Sequence, residues 1–595
     1  MKKALGFLFS VACLWAAESV PRPEFPEPQF QREQWLNLNG RWEFEFDDAN
    51  AGLAENWASG AKKFTRSIVV PYCFESKLSG IGDTSYHPWV WYRRSLTTPA
   101  EWKGRRLLLH FGAVDYRAMV WVNGKFAGNH EGGFTPFVLD ITPLAAAGSN
   151  VITVRAEDPP TDRSIPRGKQ YWGPKSQSIW YTRSSGIWQT VWIEPVAESH
   201  LESVRITPTN DGVVRFEPRI AGPQATLEFH AIIRSAGEVV GSAMTRVRGQ
   251  TSPLITGVAS PRLWTPERPT LYDVVFELRR GTEVVDRVSS YFGFRSVSTE
   301  NGRLLLNGNP IYFKSVLDQG YWPESVLTPP TDEAIQYDIK MTKEMGFNGA
   351  RKHQKVEDPR YLYWADRLGF LVSGEMANAQ VFDEAAVGRF TREWMDVVQR
   401  DYNHPSVIIW APINESWGVP DVARDPRQQS YIQSLYVLTK TLDNTRLVID
   451  NEGWEHTAMT DLYAVHNYAR TGDLLYDAYK DMGGKPGERV PRLVPGAVYN
   501  GSPFYLSEFG GIAYIPAGAN VPAEAWGYSG VEKTADAALA RLRGLYEALR
   551  KMPNFIGICY TQLTDVEQEV NGLMTYDRKP KFDSKALRDM NQMLR

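Results

Sequence analysis

Val407-Ile408-Ile409-Trp410 is followed, after Ala411-Pro412-Ile413, by Asn414-Glu415. Four consecutive apolar residues without helical periodicity predict a short strand buried on both faces, and the polar pair beyond it falls at the strand's C-terminal rim. Phe504-Tyr505-Leu506-Ser507 runs directly into Glu508 in the same way. Working outward, similar runs occupy 311–317, 349–352, 371–374, 407–410, 447–450, 462–466, 504–507 and 557–561. Amphipathic helical patterns lie between them at 332–345, 358–368, 387–402, 428–442 and 531–551, with a last one near 584–595. Strands alternating with helices over residues 297–595 predict a (β/α)8 TIM barrel rather than an open sheet.

Upstream the pattern is of strands alone. Residues 18–28 are rich in Pro and Glu and predict an extended lead-in. Gly40-Arg41-Trp42-Glu43-Phe44-Glu45-Phe46 alternates polar with apolar, as do 106–111 and 118–122, and Asn123-Gly124 suits a two-residue hairpin turn. Residues 20–198 therefore predict a jelly-roll β-sandwich. Strands at 203–207, 225–234 and 271–278 predict an immunoglobulin-like β-sandwich over 199–296, ending at Tyr291-Phe292-Gly293-Phe294-Arg295.

A net charge of -3 with no Lys/Arg run argues against nucleic acid as a partner. Aromatic residues make up 12% of the chain, an excess that suits stacking on the C–H faces of sugars as well as core packing. Met1-Lys2-Lys3, an apolar run over 4–14 and small residues to Ser19 read as a secretory signal peptide over residues 1–19, predicting a secreted or periplasmic protein. Cys13 offers lipid anchoring as the alternative. No stretch is apolar for long enough to span a membrane. Beyond the leader, Cys73 and Cys559 either join the two ends of the chain or stay as separate buried thiols.

Reacting groups in such barrels sit at the C-terminal ends of strands, which selects Glu415 and Glu508. Two facing carboxylates hydrolyse an acetal, one protonating the leaving oxygen and one attacking or activating water. A gap of about 5–5.5 Å gives retention and about 6.5–9.5 Å inversion. Spacing in the chain leaves that gap open. The same positional rule brings Asp318, Trp322, Arg351, His353, Glu375 and His466 to the sugar's side of the barrel. Arg351 is expected to pair with carboxylates, because an isolated buried cation is costly. His353 either touches ligand or bonds a neighbouring carbonyl. Chemistry at an anomeric carbon needs neither cofactor nor metal.

The segment Asn403-His404-Pro405-Ser406-Val407-Ile408-Ile409-Trp410-Ala411-Pro412-Ile413-Asn414-Glu415 resembles the acid/base signature of glycoside hydrolase family 2. Ser507-Glu508-Phe509-Gly510-Gly511 is similar to its nucleophile segment, and Gly346-Phe347-Asn348-Gly349-Ala350-Arg351-Lys352-His353 to its second barrel strand. Val120-Trp121-Val122-Asn123-Gly124 and Ser185-Gly186-Ile187-Trp188 resemble the family's sugar-binding sandwich. The resemblance implies a retaining exo-β-glycosidase acting on a glycoside, oligosaccharide or polysaccharide through a glycosyl-enzyme. Glu415 would be acid/base and Glu508 nucleophile. Asn414 would hold the sugar 2-hydroxyl, and Tyr468 would lie beside the nucleophile. Oligomeric state is not legible.

Two departures bear on the sugar. Family β-glucuronidases carry an Asn-x-Lys element before a stretch like Thr575-Tyr576-Asp577-Arg578-Lys579-Pro580-Lys581, but here Glu567-Gln568-Glu569-Val570-Asn571 precedes it without the lysine. A uronate is thus expected to meet like charge, which disfavours glucuronides. Trp180 stands where family β-galactosidases place a sandwich aspartate, with Asp162 a possible substitute. Galactose is the default expectation, with β-mannosidase, β-glucosidase, arabinopyranosidase and galactofuranosidase activities open. The alternative of another class is a non-catalytic carbohydrate-binding protein. The loop 165–181 carries Tyr171, Trp172 and Trp180 beside Arg167 and Lys169, a composition that predicts aromatics, Trp172 among them, closing over a sugar while the basic groups stay solvated.

Overall fold

The computed structural model describes residues 20–519 and 521–594. The leader reading and Cys13 lie outside the described residues. The C-terminal half forms β1 (Phe313–Asp318), β2 (Gly349–Lys352), β3 (Leu371–Glu375), β4 (Val407–Ala411), β5 (Leu447–Val448), β6 (Tyr463–Asn467), β7 (Phe504–Gly510) and β8 (Phe555–Thr561). They pair in the order β5-β4-β3-β2-β1-β8-β7-β6, all parallel. Every predicted run falls on one of these strands. Helices α1 (Asp332–Glu344), α2 (Pro359–Leu368), α3 (Glu384–Asp401), α4 (Pro426–Leu442), α5 (Gly472–Tyr479), α6 (Ala535–Leu549) and α7 (Ser584–Asn591) intervene or close the ring. Each begins on a Thr or Asp, such as Thr331 or Asp383, whose side chain accepts a first-turn N–H, a cap worth about 1 kcal/mol.

Successive strand residues face opposite ways, so each strand serves two apolar layers. Phe313, Leu317, Leu371, Ile409, Tyr505 and Cys559 pack together. Val316, Ala350, Val372, Trp410, Val465 and Leu506 pack with helix residues such as Ile335, Leu362, Trp394 and Leu545. Burial on both faces is why these strands read as unbroken apolar runs.

The N-terminal part is a sandwich of a six-stranded and a four-stranded sheet, antiparallel throughout. Trp42, Phe44, Tyr92, Leu109, Phe111 and Val154 lie in its core. The predicted hairpin joins Arg117–Val122 to Lys125–Glu131, with Asn123 at φ 52 and Gly124 at φ 74, as a type I′ turn requires. Next comes a second sandwich, of three and four strands, around Phe216, Phe229, Phe276 and Phe292.

Neither sandwich is a detached appendage. Phe134, Tyr181 and Trp188 join the barrel's outer cluster, and truncating a buried Trp such as Trp188 costs about 3–5 kcal/mol. Trp264 of the second sandwich packs into the inner cluster and donates its indole N–H to the Asp366 carbonyl at 2.8 Å. Cys73 and Cys559 are both buried free thiols. No helix among the described residues is long and apolar enough to cross a membrane.

Candidate active site

Arg351, on β2, points into the barrel mouth with no exposure. Its Nε lies 2.8 Å from Glu375 at the end of β3, and its Nη1 lies 2.8 Å from Oε1 of Glu508 on β7. Nη2 reaches Asn414 Oδ1 at 2.5 Å and His353 Nδ1 at 3.1 Å. Burial works against the guanidinium, but Glu375, Glu452 and Glu508 outweigh it and keep Arg351 charged. Burial also raises the Glu375 and Glu452 carboxyls and, with Arg351 and Lys169 near, lowers His353. The expected pairing of Arg351 with carboxylates is thus seen directly.

Glu508 is 4% exposed. Burial alone would raise its carboxyl. His466, Arg351 and the Tyr468 hydroxyl outweigh it and hold the group well below the usual carboxylate range. Tyr468 donates to Glu508 Oε2 and stacks on Tyr528, with centroids 3.5 Å apart and planes 2° apart. A side chain at Gly511 would strike both rings, at 2.4 Å from Tyr528 and 2.9 Å from Tyr468.

Glu415 lies four residues past β4, where Glu415 (φ 48) and Ser416 (φ 57) both adopt left-handed backbone. Strain of this kind persists only when the surroundings over-determine it. Here they do: Glu415 N–H donates to the Glu452 carbonyl at 2.9 Å, Glu452 N–H to Ile413 at 2.8 Å, and Ser416 N–H to Asn451 Oδ1 at 3.0 Å. Asn414 accepts Arg351 through Oδ1 and has its N–H on Asn378. Its buried Nδ2 has no partner among the described residues. His466, on β6, stands between the two acids, with Nδ1 2.8 Å from Glu415 and Nε2 3.5 Å from Glu508. One ligand atom from each of Glu415, His466 and Glu508 lies within 4.8 Å of the other two. That trio could hold a cation, a grouping not evident in the sequence.

Other expected site residues go elsewhere. Asp318 faces outward from β1 and ion-pairs Lys352 at 2.6 Å. A strand end sets a residue's height along the barrel but not its face, so the expectation for Asp318 is corrected. Trp322 lies beneath the Arg578 guanidinium, 3.7 Å from its ring centre. Asp162 pairs with Arg389 of α3 at 3.0 Å. His353, by contrast, stays in the site, its Nδ1 3.1 Å from both Arg351 and Glu375.

The loop between Ser149–Glu157 and Gly186–Ile187 does meet the barrel mouth. Trp180 stacks on Trp417, two residues past Glu415, at 4.7 Å, and Trp172 packs edge-on against Trp180 at 4.7 Å. Thr182 N–H donates to Glu567 at 3.1 Å, and Tyr181 hydroxyl to Glu569 at 2.6 Å. The loop's basic residues are not solvated. Arg167 is 2% and Lys169 6% exposed, because Arg167 bonds the Asp162 and Pro159 carbonyls and Lys169 lies against Trp417. Trp417, Tyr528 and Glu452 had no signal in the sequence beyond ordinary loop positions.

A barrel carrying paired carboxylates beyond β4 and on β7, roofed by a β-sandwich loop, is the architecture of a glycoside hydrolase. The family models described as "Glycosyl hydrolases family 2, sugar binding domain", "Glycosyl hydrolases family 2" and "Glycosyl hydrolases family 2, TIM barrel domain" match residues 36–158, 199–295 and 297–483. The chain belongs to glycoside hydrolase family 2. It is 27% identical over 430 residues to a β-glucuronidase of Paenibacillus borealis, covering 67% of this chain and 70% of that protein. With a β-galactosidase of Thermoanaerobacter pseudethanolicus it shares 26% identity over 400 residues, 64% of this chain and 51% of that protein. The chain spans about half the length of several relatives, 56% for one from Formosa agariphila. The crystal structure of Ruminococcus gnavus β-glucuronidase shares the fold, with TM-score 0.78 at 20% identity over 96% of this chain and 99% of that one. Relatives named as glucuronidases thus stand against the disfavouring of glucuronides.

Proposed function

We propose that this protein is a retaining exo-β-glycosidase that removes a terminal non-reducing β-linked sugar through a glycosyl-enzyme. The observation that carries the reading is that carboxylate oxygens of Glu415 and Glu508 lie within 4.8 Å of each other, with His466 between them, a spacing nearer the about 5–5.5 Å of retention than the about 6.5–9.5 Å of inversion. Glu508, kept ionised by its neighbours, attacks the anomeric carbon. Glu415 gives its proton to the leaving oxygen and then takes one from the water that releases the sugar. The free Nδ2 of Asn414 is a donor for the 2-hydroxyl, a bond that tightens as oxocarbenium character develops. The signal-peptide reading of the first residues supports a location outside the cytoplasm.

Galactose remains the default glycone from the sequence, and the named relatives add glucuronate. A panel of 4-nitrophenyl β-glycosides tests the reading, with the first-formed anomer followed by proton NMR. The β-anomer should appear first. An α-anomer would show inversion, and an inert protein would return the non-catalytic binding reading.

A further inference from the structure

Lys169 is a mostly buried lysine whose ammonium has no carboxylate within ion-pair distance among the described residues. Gly168 brings it in: at φ +57, a Cβ there would meet the Gln354 carbonyl at 2.1 Å, so a glycine lets the sandwich loop press against the barrel backbone. Its N–H donates to the Asn378 carbonyl at 3.1 Å. Lys169 follows at 6% exposure, its Nζ 5.1 Å from the centre of the Trp417 ring. No carboxylate comes within ion-pair distance of it among the described residues. The other buried lysines are all paired, Lys352 with Asp318 and Glu357, Lys355 with Glu357, and Lys581 with Asp565. The cation–π contact leaves the N–H donors of the ammonium open to a further partner.

The surroundings place this charge at the sugar site. Trp417 is two residues past Glu415 and 6.5 Å from His353, and the Lys169 charge acts on His353 and Glu569. Glu569 feels this charge but makes no ion-pair contact with it. Its carboxylate takes the Tyr181 hydroxyl at 2.6 Å and the Asn571 amide at 3.1 Å, and burial raises it.

We propose that Lys169 binds the carboxylate of a terminal uronic acid and sets the enzyme's preference for it. The cation missing from the barrel segment before Thr575 is then supplied from the sandwich. This rests on the glycosidase reading above, and the test separates the two. Full-length protein, Lys169→Met and Lys169→Arg are compared on 4-nitrophenyl β-D-glucuronide and β-D-galactoside, and their binding of D-glucuronic acid and D-galactose is measured by calorimetry. The wild type should favour the uronide. In Lys169→Met the uronide-to-galactoside ratio of kcat/KM should fall at least about 100-fold, mostly through KM, and selective binding of the acid should vanish, with Lys169→Arg recovering part of both. A wild type that cleaves and binds only neutral sugars, or parallel losses on both substrates in both variants, would overturn the assignment and leave the glycosidase reading standing. A wild type inert on every glycoside would sink the glycosidase reading, and the binding measurements would then decide on Lys169.

Discussion

Nη1 of Arg351 sits 2.8 Å from Oε1 of Glu508, with the arginine side chain wholly out of water and the glutamate side chain nearly so. This buried pair fixes both the ionisation and the aim of the carboxylate on β7. Glu508→Gln keeps an oxygen that accepts from Arg351 but removes the proposed nucleophile. Turnover should fall by about 10⁴-fold or more, with a stability loss below about 3 kcal/mol because the hydrogen bond survives. Mass spectrometry after treatment with a matched 2-fluoro glycoside should find the label on Glu508 in the wild type. A label on any other residue ends the assignment.

Tyr468→Phe removes the hydroxyl that donates to Glu508. A hydrogen bond to the charged form lowers a carboxyl, so its loss raises Glu508, and the acid limb of kcat/KM should move to higher pH. The bond's typical worth of about 1.5–3 kcal/mol corresponds to about a 10–100-fold loss in kcat/KM. Stability follows the same sign. The folded protein holds Glu508 below its unfolded value, so that contribution is full above about pH 4 and is lost as pH falls through the folded value. The phenylalanine variant should lose less stability on acidification than the wild type. An unmoved acid limb would mean that Tyr468 does not tune the nucleophile.

Glu415→Ala removes the proposed proton donor but leaves Glu508 and its partners in place. Substrates with very good leaving groups should still form the glycosyl-enzyme, while those with poor ones lose about 10²–10⁴-fold. Azide should restore turnover by attacking the intermediate without a base, giving a β-glycosyl azide. An α-azide, identified by NMR, would exchange the roles of the two acids.

How much of this was legible in the sequence depends on how local each signal is. Glu508 follows its apolar run directly and Glu415 lies five residues past Trp410, so strand ends selected both as candidates, while their roles came only from the family resemblance. Asp318 was misplaced because a doubly buried strand hides its phase: Leu317 faces inward and Asp318 outward, yet the run 311–317 reads the same either way. Helix α5 has no counterpart among the predicted helices. Lys169 read as solvated because it lies against Trp417, remote in the chain. The fold is written in local patterns, whereas the roof of the site is written in contacts between two domains.

That roof is where the last prediction lies. Trp180 stacks on Trp417 at 4.7 Å, whereas Trp172 reaches the barrel aromatics through Trp180 and lies under Arg163, 4.9 Å from its guanidinium. Both indoles are only half-buried, so neither holds the sandwich core together. An aromatic pair is worth about 0.5–1.5 kcal/mol beyond its buried area, or about 2–12-fold in a rate. Trp180→Ala should therefore lower kcat/KM by about tenfold with a small change in melting temperature, because it unseats Trp417 beside Glu415. Trp172→Ala should do the same more weakly, since Trp180 keeps its stack without it. Kinetics and thermal melts of both variants and of the double variant check this, and the double variant should lose little more than Trp180→Ala alone if the two act through one contact. Two variants that melted early yet kept wild-type kinetic constants would show that these indoles serve packing only, and that the barrel loops close the site without them.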